Sequence, residues 1–194
     1  MAATALALVL AGPAGSAFIP HLDHPRIVPN ESIGGVHLDM SKAQVRGLWG
    51  PGACGLYPRH AARALNQSFC RWGPKDRYKG ETILIRFING KVDGISMSAR
   101  LRRSDSRVIP GELARRWRTS KGIHLGSPMA DVGTAYPGAT YNKGEAVRGY
   151  DLFAGAGRNR HYTRFSAGIG QSEGRVVGIS LQWDACRYGP SGCS

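Results

Sequence analysis

Two histidines stand in matching surroundings, His37 in "GVHL" from Gly35 and His124 in "GIHL" from Gly122. An imidazole pair is the first place to look for acid–base work, because imidazole titrates near neutral pH. Yet each His holds the same place in its own copy of one motif, flanked by apolar residues that lead into a helix. A reaction centre is seldom duplicated in step with its scaffold, so the expectation is structural: each ring bonds a backbone group. Cys54, His60 and Cys70 could offer zinc two thiolates and an imidazole, but their spacing fits no standard ligand pair. The run "HLDH", His21 to His24, resembles part of a metal-binding sequence and lies in a stretch punctuated by proline. "GAGRNR" from Gly155 lacks both the dinucleotide spacing and a leading strand, and reads as a glycine-rich loop. No His-Glu-x-x-His, P-loop or evident carboxylate pair is present. The expectation is a protein that is not an enzyme, ligates no metal and uses no cofactor.

The elements that position these residues are written twice. With Gly35 set on Gly122, 87 residues apart, Val36 meets Ile123, Leu38 meets Leu125, Ala43 meets Ala130 and Val45 meets Val132. Val45, Leu48 and Trp49 then stand at i, i+3 and i+4, as do Val132, Ala135 and Tyr136, which predicts one apolar face of a short helix in each copy. Ser41 with Gln44 predicts a capping box, whereas Ser127 is followed by Pro128 at the first helical position. Gly50-Pro51 and Pro137-Gly138 stop the helices. The later half of each copy matches at an offset of 84, "GKVDGISM" from Gly90 answering "GRVVGISL" from Gly174.

Before each of those segments lies a strand holding Arg-Phe, Arg86-Phe87 and Arg164-Phe165. Asn89-Gly90 is a two-residue hairpin signal, with "GQSEG" its longer counterpart. Alternation sends Ile95, Met97, Ala99 and Leu101 to one face and Ser96, Ser98 and Arg100 to the other. In the second copy Val177, Ile179, Leu181 and Trp183 form the buried row, with Val176, Ser180 and Gln182 outside. Phe87 and Phe165 belong to the cores, which places Arg86 and Arg164 on the open face. The predicted fold class is α+β: two tandem repeats, each a short helical segment packed on an antiparallel β-sheet. A unit of about 65 residues buries little surface by itself, and duplication is a physical remedy.

The chain has 194 residues, 42% hydrophobic and 20% charged, a globular rather than a disordered composition. Its longest apolar run, "AATALALVLAGPAGSAF", is too short to span a membrane and has the length of a signal-peptide core, with cleavage expected after Ala17. No Lys or Arg precedes that run. The mature chain is expected to be secreted, without a transmembrane segment. Four cysteines agree with export and allow three pairings. The reading favours Cys54–Cys70 and Cys186–Cys193, the latter closed by the turn in "CRYGPSGC", worth about 3 and about 2 kcal/mol.

"Gly-Ile-His-Leu-Gly" at the mouth of a short helix, followed by a "Gly-Lys-Val-x-x-Ile" hairpin, resembles the repeat of beta-lactamase inhibitory proteins (BLIP). It is also similar to the small outer-membrane assembly lipoproteins of the SmpA/OmlA type. The resemblance spans Ser32 to Asp184 as two copies. It implies two repeats side by side whose combined concave sheet surface grips a protein, with small disulfide loops such as Cys54–Cys70 inside the repeats. It departs from the inhibitors at Ile88-Asn89-Gly90-Lys91, where their acidic hairpin tip would stand, and from the lipoproteins in lacking the lipidated cysteine.

The expected organisation is a signal peptide over 1–17, an extension over 18–31, repeat 1 over 32–103, an Arg-rich connector over 104–118, repeat 2 over 119–184 and a C-terminal disulfide loop over 185–194. Twenty-six basic against thirteen acidic residues give a formal charge of +13, and twenty of the basic ones are Arg. A strongly cationic exported chain is drawn to acidic proteins or anionic polymers. Arg86, Arg100 and Arg164 are the expected contacts on the open face, with Trp72, Trp117 and Tyr162 as flat anchors. The connector arginines would form an anion-binding stripe continuous with them. The alternative is association with an anionic polymer of the cell envelope. Nucleic acid would satisfy the charge, but export and the absence of any RNP-like, KH or helix-turn-helix signature argue against it.

Overall fold

A computed structural model describes residues 19–23, 25–56, 66–143, 148–168 and 174–184. The signal segment 1–17, the Cys186–Cys193 pairing, the loop 185–194, His60 and most of "GQSEG" lie outside the described residues.

The chain opens with three short strands, β1 (Arg26–Val28), β2 (Ser32–Ile33) and β3 (Val36–His37), and then helix α1 (Lys42–Trp49). Four strands follow: β4 (Ala53–Leu56), β5 (Gln67–Trp72), β6 (Thr82–Ile88) and β7 (Lys91–Ser98). A ribbon of β8 (Arg100–Leu101) and β9 (Val108–Ile109) leads to helix α2 (Glu112–Arg116) and β10 (Arg118–Thr119). Helix α3 (Met129–Ala135) then precedes β11 (Thr140–Lys143), β12 (Arg148–Ala154), β13 (His161–Ala167) and β14 (Val176–Trp183). The fold is α+β, mostly antiparallel strands with few helices.

Eight strands make one sheet in the order β11-β12-β13-β14-β7-β6-β5-β4. Every pairing in it is antiparallel, including the central β14–β7 pair that joins the two four-strand sets. A second sheet, β10-β1-β2-β3, carries one parallel pairing, β1 with β10. The loop before α1 is tied to the start of β7, Asp39 N donating to Val92 O and Val92 N to Met40 O, both at 2.8 Å. The loop before α3 is tied likewise to β14, Gly126 N donating to Val176 O at 2.7 Å and Val176 N to Ser127 O at 2.9 Å.

One face of the large sheet is the core. Ile83, Ile85, Phe87, Ile95, Met97, Phe165, Ile179 and Leu181 are buried there, as alternation along their strands requires. Three indoles cover its β5 side: Trp49 of α1 meets Trp72 edge-on at 5.2 Å and Trp117 at 5.8 Å. Trp49 Nε1 donates to Gly34 O at 2.9 Å. Gly34 has φ +58°, and a Cβ there would sit 2.5 Å from the Trp117 ring, so only glycine fits. On the other side α3 packs on β12 and β13, with Tyr136 stacked on Phe165 at 5.5 Å. The small sheet adds Ile27, Ile33 and Val36 to the same core.

Local readings and structure agree at α1, where Ser41 and Gln44 form the capping box, and at the hairpin, where Asn89 and Gly90 take φ 51° and 75°. They differ at α3. Pro128 is the N-cap, while Ser127 Oγ accepts from His124 N at 3.0 Å and closes the preceding turn. They differ again in β14, where Val176 is fully buried and Val177 only half-buried. A β-bulge between Ser166 and Ala167 shifts the register and inverts the faces at that end of the strand. The Arg-rich connector is also more than a solvated linker, since Leu113, Ala114 and Trp117 within it are core residues.

Candidate functional site

The face of the eight-stranded sheet opposite the core carries no helix among the described residues, and the ladder register fixes what it displays. One transverse row reads Gly55, Phe69, Arg86, Gly94, Gln182, Tyr162, Phe153 from β4 to β12. The next reads Ala53, Arg71, Leu84, Ser96, Ser180, Arg164, Asp151, Thr140 and reaches β11. Strand spacing of about 4.8 Å makes this face about 34 Å wide. Its middle, where β7 meets β14, is lined by Ser96, Ser98, Gly178 and Ser180, whose short side chains leave the backbone close to the surface. A cleft of about 230 Å³ opens there, rimmed by Arg77 and Ser166. Bulkier groups flank this floor, Phe69, Leu84 and Arg86 on one side and Phe153, Tyr162 and Arg164 on the other.

Arg86 and Arg164 lie on this face, as alternation predicts, three strands apart. Neither guanidinium is free. Arg86 is held by Asp93, whose side chain is 1% exposed against 37% for the Arg. Arg164 makes a two-pronged contact with Asp151, Nε to Oδ1 at 2.6 Å and Nη2 to Oδ2 at 2.7 Å. That contact, ahead of the opposing effect of burial, holds the Arg164 pKa above its ordinary value. Two opposite charges so paired nearly cancel at a distance, so Arg86 and Arg164 add little to the positive field of this face, to which Arg71 and Arg77 still contribute.

Tyr162 lies beside Arg164, whose guanidinium stacks 5.0 Å over its ring. Its hydroxyl is hydrogen-bonded to Gln182. Burial raises the phenol pKa, with Arg164 opposing. Phe153, directly opposite on β12, packs at 5.3 Å and carries Arg160 at 4.3 Å over its own ring. Two aromatic rings stacked with two guanidiniums form a flat, amphipathic platform of the residue types that dominate protein interfaces.

The other predicted anchors fall elsewhere. Trp72 and Trp117 are 1% and 0% exposed. Trp72 follows the inward alternation of β5, and Trp117 is drawn into the indole cluster, so neither can touch a partner. Arg100 is exposed but sits on the β8–β9 ribbon, outside the eight-stranded sheet. The connector arginines are not continuous with Arg86 and Arg164 either, because β10 belongs to the small sheet on the core side. Arg102, Arg103 and Arg107 are paired with Asp105, Asp76 and Asp105. His124 Nδ1 lies 2.7 Å from Leu125 O, a backbone contact of the kind expected. Cys54 and Cys70 face each other across β4–β5 and are joined in a disulfide, which removes both thiols from the zinc alternative. No group of three His, Cys, Asp or Glu side chains converges among the described residues.

Sequence reasoning missed Phe69, Phe153 and Asp151, and placed Gln182 on the outer face without a role. Their roles come from cross-strand register, which pairs positions far apart in the chain. Within β12 the alternation of Tyr150 and Leu152 inward against Asp151 and Phe153 outward was the available signal.

No family model matches the chain, and no curated protein matches it in sequence. Two solved structures are similar in outline. An extracellular protein containing an SCP domain from Bacillus anthracis str. Ames has a TM-score of 0.42 at 8% identity, over 76% of this chain and 44% of that one. A cysteine-rich secretory protein from Staphylococcus aureus subsp. aureus Mu50 has a TM-score of 0.42 at 9% identity, over 85% and 56%. The chain thus spans about half the length of each. Likeness at that level carries no functional argument.

Proposed function

We propose that this is a secreted, non-enzymatic binding protein made of two tandem repeats, and that the joined open sheet face grips a partner protein. The observation that carries this reading is the continuous face itself: a smooth Gly/Ser floor across β7 and β14 with an aromatic–arginine platform beside it. An antiparallel sheet commonly leaves one face to solvent; what marks this face is the pairing of a floor of short side chains with tyrosine and arginine, residue types enriched at interface hot spots.

The tandem repeat is supported by paired contacts. Asp39, Met40 and Ser41 stand 87 residues before Gly126, Ser127 and Pro128, while Lys91 and Val92 stand 84 before Arg175 and Val176. Each set makes the same backbone bonds and the same isolated bridge between helix entry and strand start. Helix-then-four-strands occurs in each half, and the halves fuse through β7 and β14. This arrangement is what the resemblance to beta-lactamase inhibitory proteins implies. Export is supported by the disulfide and the N-terminal apolar run.

The partner need not be acidic, because Arg86 and Arg164 already hold carboxylates. It has to offer a protruding segment narrow enough for the floor and an apolar or flat group for Phe153 and Tyr162. The hairpin between β6 and β7 presents Asn89, Gly90 and Lys91 and no carboxylate, so inhibition of a beta-lactamase is not part of the reading.

The test is to immobilise the oxidised protein, expose it to the exported proteins of its source, and compare retention with Ser180→Trp and with Thr134→Trp on α3. A bulky ring at Ser180 fills the floor from the solvent side and leaves the core untouched. Retention lost with Ser180→Trp and kept with Thr134→Trp is the expected result. Equal retention by all three proteins would remove the sheet face from consideration.

A further inference from the structure

On the small sheet, Arg26 of β1 and Arg118 of β10 are direct register partners on parallel strands. Their neighbours Ile27 and Thr119 are buried, at 1% and 3%, so both arginines leave the sheet on its outer side. Like charges placed side by side on adjacent strands repel. Among the described residues neither Arg26 nor Arg118 has an ion-pair partner. Arg118 donates to Arg115 O, a neutral acceptor.

The two side chains line a cleft of about 540 Å³, together with Arg116, Ser120 and Asp23. Arg116 is fixed at its wall: Nη2 donates to Leu22 O at 2.6 Å and Nη1 to Glu112 Oε1 at 3.1 Å. Asp23, at the rim, makes no ion pair among the described residues. Two guanidiniums without an ion-pair partner therefore face one unpaired carboxylate, with Arg116, already paired to Glu112, and the exposed Ser120 hydroxyl as further donors. The chain keeps an unrelieved pair of positive charges in a cleft large enough for a ligand.

We propose that this cleft binds a phosphate-class oxyanion, bridged by Arg26 and Arg118. A doubly charged tetrahedral anion relieves the repulsion and presents oxygens to two planar guanidiniums at once, which a single carboxylate does less well. A free phosphate and a phosphate group carried on a polymer share this chemistry. The site lies on the core side of the large sheet and is independent of the open face.

The experiment titrates the oxidised full chain with inorganic phosphate and with polyphosphate, by calorimetry at low ionic strength, in wild type, Arg26→Gln, Arg118→Gln and Arg158→Gln. Arg158 is exposed in the turn before β13 and supplies the same loss of charge away from the cleft. Saturable binding of either probe, weakened at least tenfold by Arg26→Gln and by Arg118→Gln and unchanged in Arg158→Gln, is the expected result. Binding of inorganic phosphate points to a small ligand, and binding of polyphosphate alone points to a polymer. No saturable binding of either probe, or the same loss in Arg158→Gln, would overturn the proposal.

Discussion

At Asp151 a carboxylate that is 5% exposed accepts both prongs of the Arg164 guanidinium, which is itself 21% exposed. Replacing Asp151 by Asn keeps the shape and removes the charge. Arg164 then loses its partner in a site that water reaches only partly, and Tyr162 loses the fixed ring-stacked cation beside it. Urea unfolding of Asp151→Asn is expected to show about 2 kcal/mol lost, whereas exposed Asp131→Asn is expected to stay within about 0.5 kcal/mol. The tyrosines give a pH prediction. Burial raises the Tyr136 and Tyr162 pKa values above the ordinary 10.0. The folded chain then holds these protons at pH values where the unfolded chain has released them. Their contribution is intact below about pH 10 and is lost as pH rises through the folded values. Stability measured against pH is expected to fall above about pH 10, less steeply in Tyr136→Phe/Tyr162→Phe; equal slopes would contradict the assignment. At this scale sequence spoke unevenly. Alternation placed Arg86 and Arg164 on the correct face, because each strand's faces are a local property. It was silent on Asp93 and Asp151, because Asp93 sits where the β6–β7 register shifts beside Arg86 and Asp151 meets Arg164 only across strands. It misled at Trp72 and Trp117, where a large aromatic looks the same in a sequence whether it anchors a partner or a core.

Helix α2 is too short to hold itself, and its start is capped by a residue that immediately precedes β6. Glu81, 6% exposed, accepts from Gly111 N at 3.1 Å, Leu113 N at 2.6 Å and Ala114 N at 3.0 Å. One carboxylate thus satisfies three backbone donors that a helix start leaves orphaned. A Cβ on residue 111 would stand 2.4 Å from Glu81 Oε2, so glycine is required there. Both Gly111→Ala and Glu81→Gln are expected to destabilise by about 2 kcal/mol. In combination they should fall well short of additive, since they break the same cap. Full additivity in denaturant titrations would show that the two residues act separately. This device was illegible in sequence because the cap comes from 30 residues away, whereas Ser41 and Gln44, three residues apart, announced theirs. The same contrast explains α3, where the serine–proline pattern named the right turn and the wrong capping residue. Local chemistry is readable to the extent that its partners are local.

Across the whole molecule, the matching segments at offsets of 87 and 84 announced both helix entries and both central strands. They did not announce that the halves fuse into one sheet through β7 and β14, since no local signal encodes which strand edges meet. That fusion creates the open face, by bringing Ser96 beside Ser180 and setting the Phe153–Tyr162–Arg164 platform next to the floor. The basic cleft at Arg26 and Arg118 belongs to the small sheet and lies apart from that face. Oxidative footprinting of the protein alone and with the partner it retains decides whether the open sheet face is the docking surface. Phe69, Phe153 and Tyr162 are expected to lose at least half of their labelling in the complex, while exposed Leu48 on α1 keeps its own. Protection of Leu48 with unchanged labelling of Phe153 and Tyr162 would contradict it, and would place the partner on the helical side.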